Sequence, residues 1–565
     1  MRKNRNKGIF EKLIGEIRMQ NNRRWLNFSA HFAIYWLLIP IILFIIDQSN
    51  NYASDDYIGI ILKIVSAFFI IAGFFLAFKS LLLFYVKTDY LPSLIFVPEI
   101  IPQSGPYSRS RHPFFMGYFL ILLGLSGFFE NTTIDMIIFA LIIFLLLALY
   151  LVKEKRYGKK ISKKFDNYKE RVPFFYKINR KGKKGPSWLK LINYPLFRFL
   201  AKFVFELEVK GRENIPEHEG ALFISNHLSY LDPHFISVYC HHDLKFFTTA
   251  DIYHNPIFAY VLRKMDTIPV KKYTKDPGAI RKMLRSLRSG DSVGYFPEGK
   301  RSWSGKPVPF PRGIARVLKL IKQPIIPVSL CGLDGFMPRW SDSWRRTNAK
   351  VVYHPPLKVD RKENSQEIRN RLYNVLHQPN HNFEHKIFTT HKLNQGIERL
   401  FWRCPECGQI GSVEERGQAE IYCKNCQSEW RLTNNNKIKL LASSENNETT
   451  KTIPEWYDKI EEYSIPELPQ DGLYELKSGT CHLQKRKPSG MKKIDQGYFT
   501  LSKNSILFFG DNQKYEWHFE NIEHLSDPGN KTIQITLEKE QFRFRFLEGS
   551  SLKWITVFDK FDLVG

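Results

Sequence analysis

Four long apolar runs in the first 152 residues constrain this chain more than any other feature of its sequence. They cover residues 25–46, 57–86, 113–129 and 136–152. The first has 22 positions without Asp, Glu, Lys or Arg, against the roughly 20 apolar residues that a helix needs to cross a bilayer. Lys63 and Lys79 lie near the ends of the second run, where long side chains reach the polar boundary. The pattern predicts an α-helical membrane domain of four spans over residues 25–176.

The distribution of Lys and Arg predicts how these spans are oriented. Residues 1–24 form a basic head, and residues 153–186 carry 14 Lys and Arg against three acids. The connections at 47–56 and 130–135 contain neither Lys nor Arg, and basic loops stay on the cytoplasmic side. We therefore expect a multi-pass protein of the cytoplasmic (inner) membrane, with both termini in the cytosol. The basic juxtamembrane segment is expected to contact anionic lipid, at about 1 kcal/mol per basic residue.

Length and charge limit the possible functions of the chain. A chain of 565 residues is too long for one hydrophobic core, so we expect a multidomain protein. Its formal net charge of +27 requires an anionic partner, which can be nucleic acid, phospholipid or a phosphorylated substrate. The basic residues cluster at the ends of the apolar runs. This position favours a lipid bilayer and predicts no nucleic-acid partner.

A polar motif interrupts the predicted membrane domain at residues 105–119, "GPYSRSRHPFFMGYF". Arginine and histidine donors beside aromatic rings suit a sulfonium cofactor that carries a carboxylate. The motif resembles the signature of the isoprenylcysteine carboxyl methyltransferases and phospholipid N-methyltransferases. That resemblance implies that S-adenosylmethionine is bound by Tyr107, Arg111, His112, Pro113 and Glu154.

Two other interpretations of this motif stay open. Arg111 and His112 can be interfacial anchors, with Pro113 only starting a helix. The four spans can also serve solely to anchor the rest of the chain. Lys153 stands where the family commonly has a second glutamate beside Glu154, so the chain departs from the family pattern there. The resemblance still implies a second, methyl-transfer activity.

After residue 187, short strand-like runs alternate with helical segments. Six runs have the composition of strands: "FELEVKG", "GALFISN", "LKFFTTA", "DTIPVKK", "DSVGYFP" and "PIIPVSL". Between them, "DPGAIRKMLRSLRSG" has the apolar spacing of an amphipathic helix. This alternation predicts an α/β domain over residues 188–375, with polar motifs at the ends of strands.

One such strand end is "SNHLSYLD", residues 225–232. His227 and Asp232 flank a short turn, so the carboxylate can fold back onto one imidazole nitrogen while the other takes a proton from a hydroxyl group. The pair therefore predicts His227 as a catalytic base that Asp232 orients. Two alternatives stay open. Asp232 can cap a helix that starts at Pro233, and His227 can be an ordinary surface histidine.

A second motif, "YFPEGKRSWSG" at residues 295–305, places a glutamate, two cations and two glycines at another strand end. Such a loop can bind phosphate through charge-assisted hydrogen bonds. Together the two motifs resemble the glycerolipid acyltransferases of the lysophosphatidate type, over about residues 188–360. The resemblance implies transfer of a fatty acyl group from a thioester, on coenzyme A or acyl carrier protein, to the free hydroxyl of a lysophospholipid. It assigns phosphate binding to Lys272, Glu298, Gly299 and Arg301.

Two Cys-x-x-Cys pairs lie 15 residues apart in the next part of the chain. They are Cys404 with Cys407 and Cys423 with Cys426. Four thiolates at this spacing suit tetrahedral zinc, and the segment 398–440 resembles a zinc ribbon. Because a four-sulfur site has no open position, we expect the zinc to be structural. A zinc ribbon in a basic chain is also found in nucleic-acid-binding proteins, which is the alternative from another functional class.

The carboxy-terminal part of the chain is predicted to be a linker followed by a β-rich domain. Residues 441–465 are polar and are predicted to be the linker. Residues 466–565 contain alternating strand-like runs, of which "DGLYELK" at 471–477 is the first, and end in the helical "SSLKWITVFDKF". Antiparallel strands closed by one helix resemble the pleckstrin-homology/GRAM superfold.

Overall fold

A computed structural model of the chain describes most residues after position 56. The described residues are 26, 29, 57–92, 100–128, 133–175, 185–217, 220–249, 252–253, 255–270, 277–381, 383–388, 392–442, 449–468, 470–487, 490–538 and 540–563. The basic head and almost all of the first predicted span lie outside them, and so does Lys272. The chain divides into two compact units, residues 1–196 with 240–243 and residues 197–239 with 244–565.

The described part of the first unit is helical. Its helices are α1 (Tyr57–Thr88), α2 (Pro113–Phe128) and α3 (Thr133–Arg171), and α4 (Trp188–Val204) begins in it. These helices cover three of the four predicted spans. Of the described residues, one helix is long and apolar enough to cross a membrane, over Lys63–Thr88 with a mean hydropathy of 2.3. The apolar part of α2 is shorter, Pro113–Leu125, so the four-span topology stays a prediction.

Glycines allow α1 and α2 to pack backbone against backbone. A Cβ atom on Gly117 would lie 2.4 Å from the backbone nitrogen of Ala77, and one on Gly73 would lie 2.6 Å from the Gly117 carbonyl oxygen. No side chain fits at such distances. Small residues at a helix contact are the usual way in which membrane helices pack closely.

The second unit begins with a seven-stranded sheet. Its strands are β1 (Phe205–Lys210), β2 (Leu222–Ser225), β3 (Leu244–Thr249), β4 (Ile268–Val270), β5 (Ser292–Tyr295), β6 (Ile325–Cys331) and β7 (Thr347–Tyr353), in the order β1-β7-β6-β2-β5-β3-β4. From β6 to β4 all neighbours are parallel, whereas β7 is antiparallel to β6. Each of the six predicted strands is present. The seventh, β7, was not predicted; it begins with Thr-Asn, and its buried residues alternate with half-buried ones.

Helices connect these strands and cover the sheet. They are α5 (Asp232–Tyr239), α6 (Pro256–Lys264), α7 (Pro277–Arg288), α8 (Ile314–Lys319), α9 (Leu333–Phe336) and α10 (Ser365–His381). The carboxyl ends of β2, β3 and β5 meet at one edge of the sheet because these strands are parallel. In open α/β sheets this is the edge at which ligands bind.

A five-stranded antiparallel module with one helix follows, which we call the ribbon module, and its extent differs from the sequence prediction. It contains β8 (Val413–Arg416), β9 (Glu420–Cys423), β10 (Glu429–Leu432), β11 (Lys437–Ala442), β12 (Thr450–Thr452) and α11 (Ile453–Glu462). Residues 441–465 were predicted to be a linker, and that prediction is wrong because they contain β12 and α11. Thr452 and Glu455 form a capping box at the start of α11, and Trp456 of α11 packs into the core of the module.

The last module is a seven-stranded sheet closed by a helix. Its elements are β13 (Cys481–Lys487), β14 (Gly490–Leu501), β15 (Ser505–Gly510), β16 (Lys514–His518), β17 (His524–Gly529), β18 (Thr532–Thr536), β19 (Gln541–Phe546) and α12 (Ser551–Lys560). The run 471–477, predicted to be a strand, is not one. Its backbone is partly bonded to a side chain, since the Thr500 hydroxyl donates to the carbonyl oxygens of Tyr474 and Leu476.

Candidate functional site

The two polar motifs of the α/β domain lie at the same edge of its sheet. His227 follows the carboxyl end of β2, and Asp232 is the first residue of α5. The loop that begins at Phe296 follows β5, which is the parallel neighbour of β2. The fold therefore brings together motifs that are about 70 residues apart in the sequence.

Asp232 holds the imidazole of His227 in one orientation. Its Oδ2 atom lies 2.7 Å from Nδ1 of His227 and also accepts the backbone N–H groups of Leu228, at 2.6 Å, and Ser229, at 2.9 Å. The carboxylate is fully buried. A carboxylate in this position keeps the proton of the imidazole on Nδ1, so Nε2 carries the lone pair that can accept a proton.

The same hydrogen bonds bear on the two alternative roles of this pair. The bonds described for Asp232 run back to the turn that precedes α5 rather than forward to the N–H groups of that helix. The carboxylate is therefore arranged to fix the turn and the imidazole. His227 is not an ordinary surface residue either, because only 21% of its side chain is exposed.

The second motif lies directly against the first. The ring of Phe296 stacks on the imidazole of His227 with a centroid distance of 4.3 Å and an interplanar angle of 18°. The backbone N–H of Ser302 donates to the carbonyl oxygen of His227 at 3.4 Å. His227, Asp232 and the loop 296–302 thus form a single site.

Glu298 lies in this loop, but its carboxyl group faces the interior. The side chain is 2% exposed, and its Oε1 atom lies 3.6 Å from Nε2 of His377. Burial raises the pKa of Glu298 well above its ordinary value, although a hydrogen bond from the backbone N–H of His227 lowers it. The buried carboxyl therefore supports the backbone of the turn at His227. The sequence analysis assigned phosphate binding to Glu298, but a carboxyl group that faces the interior is not placed for that role.

Gly299 and Arg301 are the other two predicted phosphate ligands in this loop, and Gly299 is exposed to solvent. Gly299 has a φ angle of +68°, which a residue with a Cβ atom adopts only with strain. The guanidinium carbon of Arg301 lies 3.5 Å from the ring centroid of Tyr230, a contact that the sequence did not suggest. Tyr230 is 60% exposed, whereas Arg301 is partly buried, and this burial lowers the pKa of Arg301 below its ordinary value. Lys272, the fourth predicted phosphate ligand, lies outside the described residues.

Replacing Tyr230 by alanine should weaken phosphate binding. A cation–π contact of this kind contributes about 0.5–2 kcal/mol, so we expect Tyr230→Ala to raise the KM for a phosphate-bearing acceptor several-fold and leave kcat little changed. Tyr230→Phe keeps the ring and should keep the wild-type KM. Steady-state kinetics on the three proteins make the comparison. Equal KM values for all three would show that the ring does not position Arg301.

In the first unit, the fold brings Glu154 into contact with Arg111 and His112 of the methyltransferase-like motif. Oε1 of Glu154 lies 2.9 Å from Nε2 of His112 and 3.0 Å from Nε of Arg111. Tyr107 lines the same small cavity, and Pro113 begins α2. Burial lowers the pKa of His112 to about 4 even though Glu154 raises it. His112 is therefore neutral near pH 7.

The cavity inside this motif does not fit S-adenosylmethionine. Its volume is about 20 Å³, and a single water molecule already requires about 10–15 Å³. The ammonium group of Lys153 lies over the rings of Tyr150, Tyr157 and Phe84, at 5.4, 5.6 and 6.0 Å from their centroids. A lysine cation thus occupies the aromatic surroundings that would suit a sulfonium group.

The four predicted metal ligands converge in the ribbon module. All four sulfur atoms lie within 4.8 Å of one another, with Cys404 and Cys426 at 3.7 Å and Cys407 and Cys423 at 3.8 Å. Tetrahedral zinc with Zn–S bonds of about 2.3 Å separates its ligands by about 3.8 Å. The Ser412 hydroxyl lies 3.2 Å from the sulfur of Cys423, as expected for a group that supports a thiolate ligand. These residues fit zinc.

Comparisons with known proteins point to acyltransferases. Residues 206–331 match the family model named Acyltransferase. A chloroplastic 1-acyl-sn-glycerol-3-phosphate acyltransferase of Brassica napus is 25% identical over 199 residues, 34% of this chain and 52% of the relative. The enzyme of that name from Bacillus subtilis is 24% identical over 152 residues, 27% of this chain and 73% of the relative.

A solved structure also matches part of this chain. It is a 1-acyl-sn-glycerophosphate acyltransferase from Thermotoga maritima, 22% identical, with a TM-score of 0.30 over 34% of this chain and 77% of that one. A score this low carries no argument of its own. The match to the Brassica napus relative spans about half of that protein's length. Residues 206–331 of the chain therefore match the family model named Acyltransferase, and the chain is similar to 1-acyl-sn-glycerol-3-phosphate acyltransferases over up to 199 residues.

Proposed function

We propose that this protein transfers a fatty acyl group from a thioester to the free hydroxyl of a lysophosphatidate-like phospholipid. The observation that carries the proposal is the 2.7 Å contact between Nδ1 of His227 and the buried Asp232, stacked against the loop that starts at Phe296. The match of residues 206–331 to the acyltransferase family supports the same chemistry.

The proposed reaction is a direct attack of the acceptor on the donor. Nε2 of His227 takes the proton of the lipid hydroxyl as its oxygen attacks the thioester carbonyl carbon. The new C–O bond forms, the C–S bond breaks, and the protonated imidazole returns its proton to the departing thiolate. Coenzyme A or acyl carrier protein carries the acyl group. No covalent acyl-enzyme is needed, so the site requires a base and an anion-binding loop but no nucleophilic side chain.

The phosphate of the acceptor is proposed to bind at Gly299 and Arg301 of the loop that follows β5. Arg301 supplies a positive charge beside Tyr230, and the positive φ angle of Gly299 directs the backbone of the loop around the anion. A guanidinium group binds phosphate through paired charge-assisted hydrogen bonds. Lys272 is proposed as a further cation for the same group.

Helix α6 supports a lipid-facing position for this domain. It connects β3 to β4 at the sheet edge that also carries His227, and Asn255 caps it by accepting the N–H groups of Ile257 and Phe258 at 3.0 and 3.3 Å. Ile257, Phe258 and Tyr260 are 72%, 57% and 63% exposed, and the last turn is basic. A short helix with an exposed apolar face and basic residues suits the bilayer interface.

Charged substitutions on α6 should impair the reaction only when the substrate is in a bilayer. Burial of one large apolar side chain contributes about 1.5–3 kcal/mol, and about 1.4 kcal/mol corresponds to a tenfold change in affinity. The double variant Ile257→Glu with Phe258→Glu should therefore raise the KM for lysophosphatidate in vesicles about tenfold or more. The KM for a short-chain monomeric lysophosphatidate should not change. Leu547→Glu, at an exposed apolar residue of the last module, is the control. Equal losses on both substrates would contradict a membrane role for α6.

The remaining modules are assigned as follows. The first unit is proposed to anchor the chain in the inner membrane through four spans, with the acyltransferase domain in the cytosol. Zinc is proposed to be structural in the ribbon module. The last module is proposed to be pleckstrin-homology-like, on the strength of seven antiparallel strands and a closing helix.

The proposed function is tested with purified full-length protein in phospholipid vesicles. Labelled lysophosphatidate is supplied with either an acyl-coenzyme A or an acyl-carrier-protein donor, and the diacyl product is measured by mass spectrometry. We expect product with at least one donor. Added S-adenosylmethionine should neither bind to the protein nor change the lipid products, and heat of binding in calorimetry would overturn the conclusion drawn from the small cavity.

A further inference from the structure

The loop that follows β5, residues 296–306, is proposed to bind the phosphate and is called the anion-binding loop. It is contacted by an arginine that lies outside both sequence motifs. Arg339 follows α9, and its Nη1 donates to the backbone carbonyl oxygen of Arg301 at 2.8 Å. Its guanidinium carbon lies 4.6 Å from the ring centroid of Trp303. Arg339 thus holds the loop at two points. The side chain is only 3% exposed, so its charge needs a partner nearby.

That partner belongs to the last module of the chain. The carboxylate of Asp527 in β17 forms an ion pair with Nη2 of Arg339, and Nη2 also donates to the Asp527 backbone carbonyl oxygen at 3.1 Å. Asp527 is 4% exposed, and its Oδ2 accepts the indole N–H of Trp303 at 3.4 Å. One carboxylate therefore contacts the loop directly and also holds the arginine that supports it.

The ribbon module contacts the other end of the same loop. The ammonium group of Lys306 lies 2.5 Å from Asp458 and 3.2 Å from Glu461, both on α11. Trp303 also packs against the hydrophobic core of the ribbon module. Both carboxy-terminal modules thus fix residues that closely follow Arg301.

We propose that Asp527 is a positioning residue for acyl transfer, which orders the anion-binding loop through Arg339 and Trp303 so that Arg301 meets the phosphate of the acceptor. The proposal rests on the proposed function of this loop. It means that the last module completes the acceptor site of the acyltransferase domain.

The physical reason lies in the loop itself. Glycine has more backbone freedom than any other residue, so a loop that turns at Gly299 needs contacts elsewhere to hold one conformation. The hydrogen bond from Arg339 to the Arg301 carbonyl oxygen and the one from the Trp303 indole to Asp527 fix the backbone just after the proposed phosphate site. Removing one partner of a buried pair is costly because the other charge is left unpaired. Loss of Asp527 should therefore loosen the loop without moving His227.

The test compares Asp527→Asn with Asp342→Asn in the full-length protein. Asp342 lies in the same contact between modules, where it accepts Arg399 at 2.6 Å and Lys531 at 2.9 Å, but it does not contact the loop in the described hydrogen bonds. We expect Asp527→Asn to raise the KM for lysophosphatidate about 10- to 100-fold, as for a lost charged hydrogen bond. The kcat should stay within about twofold. Asp342→Asn should change neither constant.

A double variant covers the case in which Asp527→Asn does not fold. Arg339→Met with Asp527→Leu replaces the buried ion pair by apolar groups, which usually preserves folding, and still removes both ties to the loop. Its melting temperature should be close to that of the wild type, and its KM for lysophosphatidate should be raised. A folded double variant with the wild-type KM would overturn the proposal, as would equal effects of Asp527→Asn and Asp342→Asn.

The two proposals can fail separately. If the wild-type protein forms no diacyl product with any thioester donor, the proposed function fails. If the wild type is active and Asp527→Asn lowers only kcat, as a smaller folded fraction would, the function stands and the positioning role fails.

Discussion

His227→Ala should lower kcat for acyl transfer by a factor of about 10²–10⁴, the usual contribution of a general base. The reason is that Nε2 of His227 is the proposed proton acceptor, and its orientation is fixed by the 2.7 Å contact to the buried Asp232. The KM for lysophosphatidate should change little, because Arg301 and Gly299 are proposed to bind the phosphate. Initial rates of diacyl product from vesicles, with each thioester donor, give both constants.

Two further variants make this prediction specific. Asp232→Asn keeps the shape of the side chain but removes the charge that holds the proton on Nδ1, so it should also lower kcat by orders of magnitude. His518→Ala removes a half-exposed histidine of the last module and should behave like the wild type. If His227→Ala keeps more than about a tenth of the wild-type kcat, general-base catalysis by this residue is wrong.

The architecture of the catalytic domain follows from local sequence patterns. The central strands β2 and β6 could be predicted because buried parallel strands are short continuous apolar runs, as in "GALFISN" and "PIIPVSL". The geometry of His227 and Asp232 could also be predicted, since a five-residue separation across a turn brings the two side chains together. The spacing within each Cys-x-x-Cys pair could also be recognised in the sequence, whereas the fold of the module brings the two pairs within 4.8 Å of each other.

Residues that act across modules could not be predicted. Asp527 is 188 positions from Arg339, and nothing in the local sequence "HLSDPG" distinguishes it from a turn aspartate. The orientation of Glu298 could not be predicted either. Its neighbours suggested a polar loop, but its carboxyl group turns inward to the backbone N–H of His227. Such contacts depend on tertiary packing, which a single sequence does not record.

The predicted linker fails for a related reason. Residues 441–465 are polar on average, and composition alone favours a loop. Their few apolar residues are nevertheless placed to be buried, since Ile453, Trp456 and Ile460 lie in the core of the ribbon module. The helix they form carries Asp458 and Glu461, which contact Lys306. The segment with the composition of a linker therefore contacts the anion-binding loop at Lys306.

Removing zinc should destabilise the ribbon module and, through it, the acceptor site. Zinc in a four-thiolate site contributes about 10–16 kcal/mol in small zinc-finger peptides, and Cys404 and Cys423 belong to the same core as Trp430 and Trp456. We expect about one zinc per chain by atomic absorption. A chelator should lower the melting temperature and raise the KM for lysophosphatidate, because α11 then no longer holds Lys306.

Cysteine variants separate metal loss from general damage to the protein. Cys404→Ala should abolish zinc binding and reproduce the effects of the chelator, with a red shift of tryptophan fluorescence as Trp430 and Trp456 become exposed. Cys331→Ala removes a buried cysteine of β6 outside the cluster and should retain zinc and the wild-type KM. A wild-type protein that contains no zinc and melts at the same temperature with and without chelator would contradict the assignment. The four sulfurs within 4.8 Å would then be held by the core of the module alone, and the support of Lys306 by α11 would not depend on metal.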